Sequence, residues 1–145
     1  MGSSEMSAAS RRKGHQFERD ICHKLADELG DIYKHPIRRD LDQTREGSLG
    51  DIDLDPFVIE CKRYACKFEP PSSWWEQVWR AGQHMDRIPV LVWKIDRRPI
   101  KVMLPLYCIN RDFQPEKNLN VTTDWDTAIL IIREEMSRQW LDANG

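Results

Sequence analysis

No run of about 18 apolar residues occurs anywhere in the chain, which excludes a membrane-spanning helix of the usual kind. The opening stretch MGSSEMSAAS also lacks the apolar block of a secretory signal, so the expectation is an intracellular protein. Cysteine is sparse: Cys22, Cys61, Cys66 and Cys108 stand apart with no CxxC spacing, which argues against a zinc knuckle and against a disulfide framework. His15, His23, His35 and His84 form no metal-ligand spacing either. Strong charge of one sign is missing too, because 22 basic against 24 acidic side chains leave a formal net charge of −2. That balance gives no global attraction to nucleic acid, although local basic clusters stand at 11–13, 38–39 and 62–67. There is no internal repeat.

What is present suits one domain. At 145 residues and 40% hydrophobic, the chain can bury a single core and is too short for two comfortable ones. Residues 1–10 are small and polar and are expected to be disordered, leaving 11–145 as the domain. From Arg11 to Leu29, Phe17, Ile21, Cys22, Leu25, Ala26 and Leu29 recur at three- and four-residue intervals, predicting an amphipathic helix that stops at Gly30. IYKHPIRR reads as a short strand and DLDQTREGSLG as a polar loop. Asp51–Leu54 and Phe57–Arg63 are strand candidates joined by the tight turn Asp55–Pro56. A helix follows Pro70 and Pro71, with Trp75, Val78, Trp79 and Gly82 along one side. IPVLVWKI and PIKVMLPL read as strands paired through the turn Asp96–Pro99. Thr123 is placed to cap a last helix over about 123–142, with Trp125, Ala128, Ile129, Ile132, Met136 and Trp140 as its apolar positions. The predicted class is α/β, a mixed β-sheet flanked by helices in the order α-β-β-β-α-β-β-α. Five of the six tryptophans fall on apolar stripes or in a buried strand, and Trp74 alone is a candidate for stacking on a base.

Chemistry concentrates in GDIDLDPFVIECKR. Side chains alternate along a strand, so Phe57, Ile59 and Cys61 face one way while Val58, Glu60 and Lys62 face the other. Glu60 and Lys62 are then neighbours, roughly 7 Å apart at the backbone. An aspartate on the adjoining hairpin strand can bring a second carboxylate to Glu60, and two carboxylates with a main-chain carbonyl, that of Cys61, suit Mg²⁺. Alternation gives Asp51 and Asp53 the same facing. Asp51 is preferred, because it lies at the strand's mouth behind Gly47 and Gly50. A metal-bound carboxylate beside a lysine is a sensible core for phosphodiester hydrolysis, where Lys62 serves the attacking water and offsets developing charge. The plainer explanation of ExK alone is a wet strand face with a surface ion pair.

The order of these motifs resembles the PD-(D/E)xK nuclease superfamily, and within it the small Holliday junction resolvases of archaeal and phage type. The resemblance runs from about Arg11 to Leu106. RRKGHQFERDI resembles the opening helix, whose glutamate reaching the site is here Glu18. GSLGDIDLDPFVIECKR resembles the glycine-serine loop, metal aspartate and ExK strand, carried onto Ser48, Asp51, Glu60 and Lys62. WWEQVWRAGQ then PVLVWK resembles the next helix and strand, with Gln77 as the site glutamine in preference to Gln83. Two departures are Gly50 in place of the usual proline and a short aspartate-to-glutamate gap.

The resemblance implies a restriction-endonuclease-like core, a homodimer, and cleavage of branched DNA with Mg²⁺ or substituting Mn²⁺. It places the protein in the cytoplasm of a prokaryotic or phage-infected cell. Glu18, Asp51, Glu60, Lys62 and Gln77 are the implied catalytic set, with Asp51, Glu60 and the Cys61 carbonyl holding the metal. Arg11, Arg12, Lys13, Arg38, Arg39, Arg45, Ser48 and Arg63 are the expected DNA contacts. At a helix start, Arg11–Lys13 would oppose the helix dipole unless a phosphate compensates. Other readings are a repair or restriction-like endonuclease on duplex or flap DNA, and an inactive DNA-binding module with the nuclease fold.

Overall fold

The computed structural model describes residues 8–39, 51–65 and 69–145. Helix α1 (Ala8–Leu29) leads into a two-residue strand β1 (Arg38–Arg39), then the hairpin β2 (Ile52–Leu54) and β3 (Phe57–Tyr64). Helix α2 (Ser72–Met85), strands β4 (Ile88–Ile95) and β5 (Lys101–Pro105), a 3-10 turn (Leu106–Cys108), β6 (Asn120–Asp124) and helix α3 (Trp125–Asn144) complete the order. Among the described residues six strands form one sheet in sequence order, and of these only β3 and β4 run parallel, with α2 as their crossover. Among the described residues no helix is long and apolar enough to cross a membrane.

Helices α1 and α3 lie on one face of the sheet and α2 on the other. Phe17, Ile21, Leu25 and Leu29 of α1, with Ala128, Ile129 and Ile132 of α3, pack on Phe57, Ile59, Val90, Val92, Val102 and Leu104. Trp74, Trp75, Val78 and Ala81 of α2 cover Val58, Leu91 and Trp93. β4 is therefore apolar on both faces, as a central strand with a parallel neighbour must be. Each fully buried large side chain contributes about 1.5–3 kcal/mol of transfer free energy, so both layers are needed to hold the sheet. Gly82 sets the approach of α2. A Cβ there would stand 2.6 Å from the Arg87 carbonyl oxygen and 3.1 Å from Cδ of Pro89, so only glycine lets the helix lie this close to the start of β4.

Several expectations shift. Helix α1 takes in Ala8–Ser10, so Arg11 closes its first turn and Arg12 and Lys13 sit beyond it, where the dipole fades, and their cost there is smaller than predicted. β6 is an additional strand: Asn120–Asp124 pairs antiparallel with β5 as a polar edge. The cap of α3 is Asp124, whose carboxylate accepts the Thr127 N–H at 2.7 Å, and not Thr123, which lies within β6. Trp74 is buried and stacks on Tyr64 with ring centroids 4.6 Å apart, which removes it as a base-stacking platform. Trp140 is 62% exposed at the far end of α3.

Candidate active site

The β2–β3 hairpin fixes the first carboxylate. Asp51 donates its N–H to the Ile59 carbonyl at 2.8 Å and accepts the Cys61 N–H on Oδ2 at 2.7 Å, so its side chain is pinned against β3 next to Glu60. The Leu54–Phe57 register of the two-residue turn produces this placement, because it lines Asp53 up with Val58 and leaves Asp51 beside the next outward residue. Asp53 goes elsewhere. It forms an ion pair with Arg87, whose guanidinium also lies 4.0 Å from Asp55, and its side chain is 61% exposed.

Asp51 and Glu60 are both buried. Lys62 Nζ lies 3.6 Å from Glu60 Oε1, and Gln77 of α2 bridges the two, donating to Glu60 Oε1 at 3.3 Å and accepting from Lys62 at 3.4 Å. Gln83 lies away from these groups, on a separate polar cleft with Asp86 and Arg87. Glu18 of α1 is buried as well and is held by Arg39 at 3.3 Å. Arg39 also donates to His15 Nδ1 at 2.9 Å, and His15 stands 3.9 Å from Glu18. The helical i, i+3 spacing of His15 and Glu18 is the sign in the sequence that the two share a face.

Of the expected DNA contacts, Arg11, Arg12 and Arg38 are exposed. Lys13 and Arg63 both bind Asp96, and Arg39 is committed to Glu18. Arg45 and Ser48 lie outside the described residues, as does the glycine loop.

Burial penalises the charged form of both central carboxyls. Desolvation, then the Glu60 charge, pushes Asp51 up to about 8, against the opposing Cys61 N–H bond. Glu60 is pushed up as well, by desolvation, while Lys62 and a hydrogen bond from Asp51 act the other way. Burial thus disfavours full ionisation of the pair. Two adjacent buried carboxyls short of positive charge are the donor set that a small divalent cation satisfies. Mg²⁺ accepts one or two carboxylates and keeps several waters. Among the described residues no three acidic, histidine or cysteine side chains gather as a metal cluster, so the ion would rest on two carboxylates with main-chain and water oxygens. Among the described residues the thiols are poor nucleophiles: burial raises Cys22 to about 11 and Cys108 to about 12, and raises Cys61 well above the usual thiol range.

A pH dependence follows from the raised carboxyls. Between about pH 4 and pH 8 the folded protein binds more protons at Asp51 than the unfolded chain, so metal-free stability falls as pH rises through that window. Thermal melts in EDTA should show this decline, and millimolar Mg²⁺ should raise the melting temperature by a few degrees, on the order of 1 kcal/mol, near pH 8. Near pH 5 the proton competes and the Mg²⁺ effect should be much smaller. An equal Mg²⁺ shift at both pH values would contradict this account of the carboxyl pair.

Comparison with known proteins adds three findings. Residues 9–136 match the model of the family described as "Phage putative PDDEXK endonuclease". Among solved structures, the chain is similar to Hjc, a Holliday junction resolvase from the archaeal hyperthermophile Archaeoglobus fulgidus, with 16% identity over 77% of this chain and 86% of that one and a TM-score of 0.46. No curated protein matches the chain at a significant level.

Proposed function

The chain belongs to the phage PDDEXK endonuclease family, and from that premise we propose that it hydrolyses phosphodiesters of branched DNA, four-way junctions above all, with Mg²⁺ or Mn²⁺ at Asp51 and Glu60. The observation that carries this reading is the burial of Asp51 and Glu60 side by side, with Lys62 3.6 Å from Glu60. A divalent ion bound there supplies charge neutralisation on the phosphate and an acidified water. The chain's own groups do the rest. Lys62 directs its ammonium beside Glu60, where it donates a hydrogen bond to the attacking water and offsets negative charge growing on the phosphate. Gln77 holds Glu60 and Lys62 in fixed relation, which removes rotamer freedom before substrate arrives. Glu18, buried on α1 and paired with Arg39, adds a further negative charge near the pair without joining it.

Arg11, Arg12 and Arg38 present exposed positive charge to the DNA backbone, and Arg45 and Ser48, which lie outside the described residues, are given the same role from the motif they occupy in the sequence. Contacts of this type read shape and charge with little base readout. The motif order of the resolvase-type nucleases favours a junction substrate. A homodimer with one site per cut strand is supported by the exposed Leu130, Trp140 and Leu141 of α3, more apolar surface than an isolated helix end needs.

The test is incubation with a synthetic four-way junction, a linear duplex and a flap, each with Mg²⁺ or EDTA. Symmetric nicking of the junction in Mg²⁺ alone is expected. Equal cutting of the duplex would replace the junction with a restriction or repair substrate. Absence of any cutting, with binding retained, would make the protein an inactive DNA-binding module.

A further inference from the structure

The β4–β5 turn lies at the same end of the sheet as the candidate active site. Trp93 of β4 is the register partner of Lys62, and the turn begins three residues later at Asp96. Asp96 ties it down: its N–H donates to the Tyr64 carbonyl at 3.0 Å, and its carboxylate binds Lys13 Nζ with both oxygens at 3.1 Å and also pairs with Arg63. These two cations hold the Asp96 carboxyl below its usual range, Lys13 foremost. The Arg98 N–H closes the turn on the Ile95 carbonyl at 2.9 Å. A turn bolted to α1 and β3 in this way presents Arg97 and Arg98 to solvent in fixed positions, and among the described residues no acid pairs with either of them.

Two features make this more than a solvated charge run. Lys13, Arg63, Arg97 and Arg98 set four positive side chains against the single carboxylate of Asp96, in a chain whose formal net charge is −2. Arg97 also has φ of 64°, a left-handed conformation that glycine or asparagine adopts with less strain. Stability alone would favour glycine there.

We propose that this turn is a second DNA-backbone contact, with Arg97 and Arg98 binding phosphates on the order of 10 Å beyond Lys62, on the strand flanking the scissile bond. Lys13 and Arg63 then act chiefly as the struts that hold the turn through Asp96. The inference rests on the nuclease reading above and extends it from the site of cutting to how the flanking strand is held.

The experiment is fluorescence anisotropy with labelled duplex and four-way junction in EDTA, over about 50 to 200 mM salt, for wild type, Arg97→Gly, Arg98→Ala and the double variant. Loss of two phosphate contacts should weaken binding by about tenfold and reduce the slope of log K against log salt by about 2. Arg97→Gly should melt no lower than wild type, because glycine relieves the left-handed strain, so its weaker binding could not be ascribed to unfolding. Wild-type binding with unchanged affinity and slope in the double variant would overturn this inference and leave the nuclease reading standing. Failure of the wild type to bind or cut any DNA would overturn both.

Discussion

In Mg²⁺ near pH 8, the Asp51→Asn variant is expected to cleave DNA about 10²–10³-fold more slowly than wild type, and to melt above it once the metal is removed. The two effects have one cause. Asp51 is buried, accepts the Cys61 N–H, and faces Glu60 with too little positive charge nearby to keep both carboxyls ionised. Asparagine preserves the shape and can still accept the Cys61 N–H through its carbonyl oxygen, while it removes the charge whose burial costs stability. It removes in the same stroke the charge that a divalent ion requires. Glu60→Gln should behave alike. Lys62→Ala should lose a similar factor in rate with no gain in metal-free stability, because its ammonium offsets the Glu60 charge.

Asp53→Asn is the internal control. That side chain is exposed and paired with Arg87, so its loss should cost under about 1 kcal/mol and leave cleavage near the wild-type rate. Single-turnover cleavage with matched melts in EDTA separates the outcomes. Equal losses from Asp51→Asn and Asp53→Asn would sink the assignment of the metal to Asp51, and unchanged cleavage in Asp51→Asn would sink the whole site.

The difference between Asp51 and Asp53 lies in the pairing register. Alternation along β2 gives the two the same facing, and the Leu54–Phe57 register then sets Asp53 against Val58 and leaves Asp51 beside Glu60. Arg87, just before β4, pairs with Asp53 where it emerges. Glu60, Lys62 and the turn at Asp55–Pro56 were readable because a strand's period and a two-residue turn are local properties. The commitments of Arg39 to Glu18 and of Asp96 to Lys13 and Arg63 were not, since each joins elements that only the folded sheet brings together. The missed strand β6 has a related cause. NVTTD alternates between exposed and half-buried with Val121 its only aliphatic residue, because an edge strand paired on one side need bury little. In α2 the expected stripe of Trp75, Val78, Trp79 and Gly82 does pack on the sheet, and it is widened by Ala81 and by Trp74, which stacks on Tyr64.

Glu135 carries the same lesson into stability. It lies beside the apolar positions of α3 and reads as a surface residue of an amphipathic helix, yet it is fully buried. Its Oε2 pairs with Arg111 and accepts from Gln139 at 3.1 Å, while Oε1 has only Arg138 at 3.6 Å and no hydrogen bond. Arg111 follows the 3-10 turn after β5, so this pair ties the β5–β6 connection to α3. Removing the cation strands the carboxylate, whereas removing the carboxylate leaves Arg111, 44% exposed, to be hydrated. Arg111→Ala should therefore cost about 2 kcal/mol, the full buried-pair penalty discounted for the exposure of the arginine. Glu135→Met, similar in length and apolar, should cost under about 1 kcal/mol. The double variant should be more stable than Arg111→Ala alone, because the stranded charge is gone. Urea titrations of the four proteins close the cycle. Additive losses would mean that Glu135 is satisfied without Arg111, through Arg138 and Gln139, and that the connection is held by apolar packing around Cys108 instead.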